Sequence, residues 1–246
     1  MAARMSTPTY DPIHWSTTTV GALEIQFQRD GFIAVSGLLP EATIRAADRY
    51  ASELLAQLDE RPWAAGETYC QRFDIWTKVF SGIDKPEIAR LFVNGGLHEI
   101  TEAITGPAPT VGAIGSWVTP HGCGQAWHQD SWSDYPAHFV LNRIVFTRDY
   151  AREQGALLVV PGSHCQGDLP SGEPYDALPG QVAIVPQANT CVLLHSRVFH
   201  CVEKNVTDAP RIQFNRRATP ANAPSDLTSR ARFRNGTWDF KTGKPW

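Results

Sequence analysis

Apolar residues fall into two textures along this chain, one with helical spacing and one of short bounded runs. In residues 21–30, G-A-L-E-I-Q-F-Q-R-D, Leu23 and Phe27 stand four apart, which predicts a short amphipathic helix that Gly31 breaks. Phe32 to Val35 then reads as a strand. Pro40-Glu41 opens a stronger helix over about 40–60, with Ile44, Ala47, Leu54, Leu55 and Leu58 as its apolar stripe and Pro62 past its end. Residues 86–105 keep the spacing through Ile88, Leu91, Phe92, Leu97, Ile100 and Ile104, with Gly95-Gly96 expected to interrupt that helix.

From about residue 110 the texture changes. Apolar runs at 111–118, 138–147, 156–161, 181–185, 190–195, 198–202 and 211–218 are separated by Gly, Pro and Asn. Several are too short for helices and are bounded by turn residues, so they predict strands. Residues 1–20, rich in Thr, Pro and Ser, read as an ordered or frayed arm, and 163–180 as a polar loop. Residues 219–246 carry Arg230, Arg232, Arg234, Lys241 and Lys244 and read as a tail or a flap over the site. The expected class is mainly β with flanking α-helices, in one domain over 1–246. A helical part at about 21–105 would buttress a β-barrel at about 110–218. Two domains are the alternative; one is preferred because the candidate site residues fall only on the strand half.

Composition narrows the partners. Hydrophobic residues make up 42% and charged residues 19%, so a folded core is expected rather than disorder. A net charge of -3 gives no reason to expect nucleic acid. The first residues lack the apolar segment of a secretory signal, and no stretch reaches the roughly 18 uninterrupted apolar residues of a membrane span. Cys70, Cys123, Cys165, Cys191 and Cys201 are odd in number and scattered, which reads as reduced thiols in a cytoplasmic protein.

The candidate chemistry sits in W-H-Q-D at 127–130 and in H-C-V-E-K-N-V-T-D-A-P-R at 200–211. Side chains two apart on a strand share a face. His128 and Asp130 therefore look into one interior while Gln129 looks out. His200 ends another apolar run and supplies a third ligand from a different strand. Two imidazoles and one carboxylate occupy one face of an octahedral Fe(II) and leave the other open. Arg211, just downstream, offers a rigid guanidinium suited to the far carboxylate of 2-oxoglutarate. A zinc site of His121, Cys123 and His128 is the competing reading, but Gly122 and Gly124 make that segment a loop leading into the ligand strand. His164 belongs to a turn, and His14, His98, His138 and His195 read as packing or surface residues.

Five segments together resemble the phytanoyl-CoA dioxygenase-like family of Fe(II)/2-oxoglutarate oxygenases. They are F-Q-R-D-G-F-I-A-V-S-G-L-L-P at 27–40, W-H-Q-D, E-Q-G-A-L-L-V-V-P-G-S-H at 153–164, H-S-R-V-F-H at 195–200, and the spacing of Asn205 and Arg211 from His200. The resemblance covers about 27–217. It implies a double-stranded β-helix, the cupin-like jelly-roll, with iron at His128, Asp130 and His200. Arg211 would pair with the distal carboxylate of 2-oxoglutarate, and Gln125 would contact that co-substrate or the substrate. The co-substrates implied are 2-oxoglutarate and O2, the products succinate and CO2.

Two positions depart from the family pattern. Leu157 stands where many relatives have Thr, and Asn189-Thr190 where they usually have Gly-Asp. These departures touch the second co-substrate contact and not the ligands. Halogenating relatives lack the carboxylate that Asp130 provides, so hydroxylation or another oxidation of a small organic molecule is favoured over halogenation, and the diversity of the family points to a secondary metabolite. No strong basic cluster marks a CoA phosphate site. Trp117, Trp127, Trp132, Tyr135 and Phe139 surround the first motif as a candidate aromatic pocket, with Trp132 and Trp117 as substrate contacts. Gln71, Arg72 and Trp76 are placed over its mouth. The rival classes are a catalytically silent jelly-roll that binds a metabolite or metal, and a metal-dependent hydrolase or isomerase, in which Arg211 has no task.

Overall fold

The computed structural model describes residues 7–59, 86–93, 95–107, 109–119, 124–130, 137–209, 211–224, 227, 230–234, 236–239 and 244–245. The first helix, α1 (Val20–Asp30), begins where the Thr19 hydroxyl accepts from the Ala22 N–H. It ends at Gly31, whose φ of 76° is left-handed. Only glycine fits there for a second reason: a Cβ would lie 2.5 Å from His164 Nδ1 and from a Val198 methyl. Next come α2 (Glu41–Asp59), α3 (Pro86–Ala89), a 3₁₀ turn (Arg90–Phe92) and α4 (Gly95–Thr105). Gly95 and Gly96 open α4 rather than break a helix. The interruption falls earlier, where the turn ends at Val93.

Thirteen strands are described: β1 (Ile13–His14), β2 (Phe32–Ser36), β3 (Thr110–Thr119), β4 (Gln125–Gln129), β5 (Leu141–Phe146), β6 (Leu157–Val159), β7 (Val182–Ile184), β8 (Thr190–His195), β9 (His200–Val202), β10 (Arg211–Thr219), β11 (Arg230–Phe233), β12 (Gly236–Asp239) and β13 (Lys244–Pro245). They form two sheets, ordered β1-β2-β8-β5-β10-β3 and β13-β12-β11-β4-β9-β6-β7. All the pairings are antiparallel except β1 with β2.

Strand alternation sorts the apolar side chains into three layers. Phe32, Ala34, Ile144, Phe146, Val192 and Leu194 of the first sheet meet Leu157, Val159, Ile184 and Val202 of the second in one interior cluster. Their odd-numbered neighbours in the first sheet, Ile33, Val35, Leu141, Val145, Cys191 and Leu193, turn outward and pack with Leu23, Phe27, Ile44, Ile88, Leu97 and Ile100 of the helices. On the far side of the second sheet, Trp127, Leu158, Ala183 and Cys201 lie under Leu169 and Leu178 of the long loop. The molecule is thus a jelly-roll sandwich buttressed by helices on one face and by a loop on the other.

The N-terminal segment is an ordered arm, and the C-terminal one is more than a tail. Pro8 O and Tyr10 N both bond to the backbone of Ala183 at 2.8 Å, so the arm lines β7 before β1 joins β2. The C-terminal segment is not a free tail: β11 to β13 extend the second sheet beyond β4. Asn189 takes the left-handed conformation at φ 58°, which Asn tolerates better than other side-chain-bearing residues. Its amide exchanges two hydrogen bonds with the Leu39 backbone, at 3.0 and 2.7 Å. The amide thus gives Asn a task at this left-handed position that glycine could not perform.

Candidate functional site

His128 on β4 and His200 on β9 are direct cross-strand partners, so their rings project from the same face with centroids 3.9 Å apart. Asp130 follows immediately after β4, its N–H donating to Ser196 O at 2.8 Å. One ligand atom from each of His128, Asp130 and His200 lies within 4.8 Å of the others. Among the described residues no other group of three such side chains comes this close. All three are at least 95% buried.

Each imidazole is pre-set for metal binding by its own strand. His128 Nδ1 lies 2.8 Å from Ala126 O, and His200 Nδ1 lies 2.8 Å from Val198 O. A carbonyl only accepts, so Nδ1 carries the proton in both rings and Nε2 presents its lone pair. Burial, and then the neighbouring His200, lower the His128 pKa, which keeps that ring neutral. Burial alone would raise the Asp130 pKa, but the Arg217 guanidinium holds it well below the ordinary value. Arg217 Nη2 donates to Oδ1 at 3.2 Å and Asn142 Nδ2 to Oδ2 at 2.5 Å, so each carboxylate oxygen has a fixed donor. Arg217 Nε and Asn215 Nδ2 in turn donate to Asn142 Oδ1, at 3.0 and 2.9 Å. Such outer partners orient a metal ligand and tune its basicity.

Arg211 begins β10 and is 1% exposed. Its Nη2 donates to Gln213 Oε1 at 2.5 Å, and its guanidinium carbon lies 5.4 Å from the Phe146 ring centre. Nε and Nη1 are buried without a hydrogen-bond partner among the described residues. Burial pushes its pKa down to about 10. A buried cation with idle donors is costly, and an incoming carboxylate would satisfy it with paired charge-assisted bonds. The Tyr150 hydroxyl fixes the start of this strand by bonding both N and O of Ile212 at 3.0 Å. Asn205, five residues after His200, ties the turn before this strand: it accepts from Thr207 N and donates to Ala209 O.

The other sequence candidates fall in different places. Gln125 stands three before His128, which in a regular strand would turn it outward. The β4–β9 register shifts by one between them, and Gln125 pairs with Val202, an interior residue, so it faces inward as well. Leu157 is buried in the interior cluster as an apolar wall. Trp117 pairs with Gln213, the partner of Arg211. Gln71, Arg72, Trp76, His121, Cys123, Trp132 and Tyr135 lie outside the described residues. Two expected pocket aromatics turn away from the metal-facing interior. Trp127 packs under the long loop, and Phe139 packs against the helix-side core. Gln129 faces away from the interior as expected but is 1% exposed, because its amide bonds Gly167, Leu169 and Arg197 of the covering segments.

Sequence reasoning missed Asn142, Arg217 and Phe233. Arg217 lies six after Arg211, an even spacing that puts both on one strand face. Asn142 is a lone amide in an apolar run, a flag for a paired buried group. Phe233, on β11, stacks on His128 with centroids 5.1 Å apart.

Comparisons with known proteins agree with this geometry. The family model for phytanoyl-CoA dioxygenase (PhyH) matches residues 27–213. The chain is 26% identical to the ectoine dioxygenase of Streptomyces anulatus over 207 residues, covering 75% of this chain and 68% of that protein. Among solved structures it is similar to the epimerase SnoN in complex with Fe3+, alpha-ketoglutarate and nogalamycin RO, with TM-score 0.62, 22% identity, and 87% and 86% of the two chains covered. It is similar also to EctD from S. alaskensis in its apoform, with TM-score 0.62, 20% identity, and 87% and 83% covered. At these identities the two structures speak for the shared fold.

Proposed function

The chain belongs to the phytanoyl-CoA dioxygenase family, oxidoreductases that use Fe(II), 2-oxoglutarate and O2, and from that premise we propose that it hydroxylates a small organic molecule. In this reading His128, Asp130 and His200 hold Fe(II), and Arg211 binds the distal carboxylate of 2-oxoglutarate. The observation that carries it is the buried Arg211 guanidinium with two idle N–H groups, on the same strand face as Arg217, which reaches Asp130. When bound, the iron supplies an O2-derived oxidant, and the overall reaction is R–H + O2 + 2-oxoglutarate → R–OH + succinate + CO2.

The chain's own residues do the positioning. The two Nδ1–H···O=C bonds aim both Nε2 lone pairs. Arg217 keeps the Asp130 carboxylate ionised, and Arg217 and Asn142 together hold its orientation. Phe146, Leu157, Val159 and Val202 form an apolar wall, and a low-polarity surrounding strengthens an ionic contact at Arg211. Leu157 donates no hydrogen bond, so Arg211 bears the co-substrate anchoring with Gln125 as a second polar contact. Asp130 would hold the iron where halogenating relatives leave room for a halide, which supports hydroxylation or another oxidation over halogenation. Gln71, Arg72, Trp117 and Trp132 are assigned to the substrate side.

A secondary metabolite as substrate is supported by the nogalamycin ligand named for one similar structure, and ectoine by the curated relative. The helical part and the jelly-roll act as one domain, since one apolar cluster runs through both. No helix among the described residues is long and apolar enough to cross a membrane, and a cytoplasmic location rests on the thiol usage. The test is succinate formation by Fe(II)-loaded protein given 2-oxoglutarate, O2 and a panel that includes ectoine and polycyclic metabolites. Succinate that rises with one compound, together with a hydroxylated product, supports the reading. Neither 2-oxoglutarate binding nor turnover would leave the silent metabolite-binding jelly-roll instead.

A further inference from the structure

The C-terminal strands lie beyond the segment matched by the family model, which stops at residue 213, yet they wall the metal site. β11 pairs antiparallel with β4, so that Phe233 stands opposite His128 and Arg232 opposite Gln129. Directly opposed residues of such a pair project from the same face. The Phe233 ring accordingly lies on the ligand side of the sheet and stacks on the His128 imidazole, with centroids 5.1 Å apart and planes 21° from parallel. In the sheet order β11-β4-β9, His128 is flanked by Phe233 on one side and by His200 on the other.

Phe233 is held there by the residues on either side of it. The Arg234 guanidinium donates to four backbone carbonyls of the long loop: Pro170 at 3.1 Å, Ser171 at 3.4 Å, Glu173 at 2.7 Å and Asp176 at 3.1 Å. The loop is shaped around it, since a Cβ on Gly172 would collide with Arg234 Nη2. Arg232 forms an ion pair with Asp168 of the same loop. The loop is fastened to β4 in turn, through Trp127 N to Pro174 O at 3.0 Å and through the Gln129 amide. The strand with Phe233, the loop and the ligand strand are therefore tied together by polar contacts.

We infer that Phe233 is a positioning residue for His128, and that Arg234 is the latch that keeps its ring on the imidazole. The inference rests on the reading of His128, Asp130 and His200 as a metal site. A flat ring against the imidazole blocks rotation about the Cβ–Cγ bond and keeps water off that face. Together with the Nδ1 bond to Ala126, this fixes the direction of the Nε2 lone pair. Losing an outer partner of a metal ligand costs about 10–100-fold in metal affinity.

The test uses Co(II) as the probe on the full chain, read by titration and by the visible absorption of the bound ion, with no substrate present. Phe233→Leu keeps bulk but loses the flat ring; it should weaken Co(II) binding about 10-fold and change the absorption band. Phe233→Tyr should restore both. Arg234→Ala, which keeps the Phe233 side chain but frees its strand from the loop, should fall between them, and it carries the test if the Leu variant fails to fold. Wild-type affinity and spectrum in folded Phe233→Leu, or in Arg234→Ala if that is the variant left, would overturn the inference while leaving the metal site standing. No Co(II) binding by the wild-type chain would instead overturn the metal site itself.

Discussion

The two faces of β10 carry the same strand in opposite directions. Outward, Ile212, Phe214 and Ala218 are fully buried in the apolar layer beneath the helices. Inward, Arg211, Gln213, Asn215 and Arg217 form an unbroken polar row, with Arg211 and Gln213 bonded to each other, and with Asn215 and Arg217 serving Asn142 and Asp130. The outward row gains free energy from burial alone. The inward row is kept at a cost, because buried polar groups need partners and Arg211 has two idle donors. One face of this strand serves the fold and the other serves the chemistry. The contrast predicts that stability and activity can be separated residue by residue.

The largest effect should come from the ligands that the inward row supports. His128→Ala and Asp130→Ala should each abolish succinate formation, while the unfolded fraction stays low by circular dichroism; full activity in both would break the contrast at its centre. Phe214→Ala, on the outward face, should cost about 3–5 kcal/mol of stability in urea unfolding. The surviving folded protein should bind 2-oxoglutarate as before. A shift in 2-oxoglutarate affinity larger than the shift in stability would show that the two faces are coupled.

Arg211→Met sharpens the same comparison from the other side. It should weaken 2-oxoglutarate binding by roughly 2–5 kcal/mol, about 30-fold or more in Kd by calorimetry. It should also stabilise the ligand-free protein by about 1 kcal/mol or more, because it removes a buried unpaired charge. A melting temperature that falls would mean that Arg211 is satisfied without a co-substrate. A pH dependence belongs to the helix side. Burial lowers the His195 pKa to about 3, and the ring stacks on Phe139 at 4.4 Å. Its folded pKa is below its unfolded value, so the unfolded chain binds the extra proton between about pH 6.5 and 3. Stability is therefore full above that window and falls as pH drops through it, by about 2 kcal/mol at pH 5 from this group alone. Urea midpoints at pH 7.5 and pH 5, compared between wild type and His195→Phe, would show whether that slope belongs to His195.

The metal-facing half of this arrangement was legible in sequence where a period carried it. His128 and Asp130 were readable as a pair because two-residue spacing fixes a shared face, and His200 and Arg211 because they follow in the order of the family motif. The helices α1 and α2 were legible from their stripes and from Gly31. Asn142 and Arg143 sit side by side in one apolar run and serve opposite layers. Asn142 bonds Asp130 inward, while Arg143 Nε bonds Arg216 O at 2.9 Å on the helix side. A run of letters does not say which polar residue of such a pair meets the site until the strand register is known. Gln125 faces inward only because of a one-residue register shift, and no periodicity announces a bulge. Phe233 lay in a segment too polar to read as strands, and it is ordered by pairing with β4 rather than by its own apolar pattern.

The N-terminal arm has a consequence for handling the protein. Residues 8–10 bond along β7, and Ile13–His14 pair with β2, so a single short segment covers an edge strand of each sheet. Exposed edges are templates for strand addition between molecules. Cutting the chain at residue 15 would bare two rows of backbone donors and acceptors at once. The shortened protein should keep its site but become prone to self-association, with particle size growing with concentration in light scattering while the intact chain stays monodisperse.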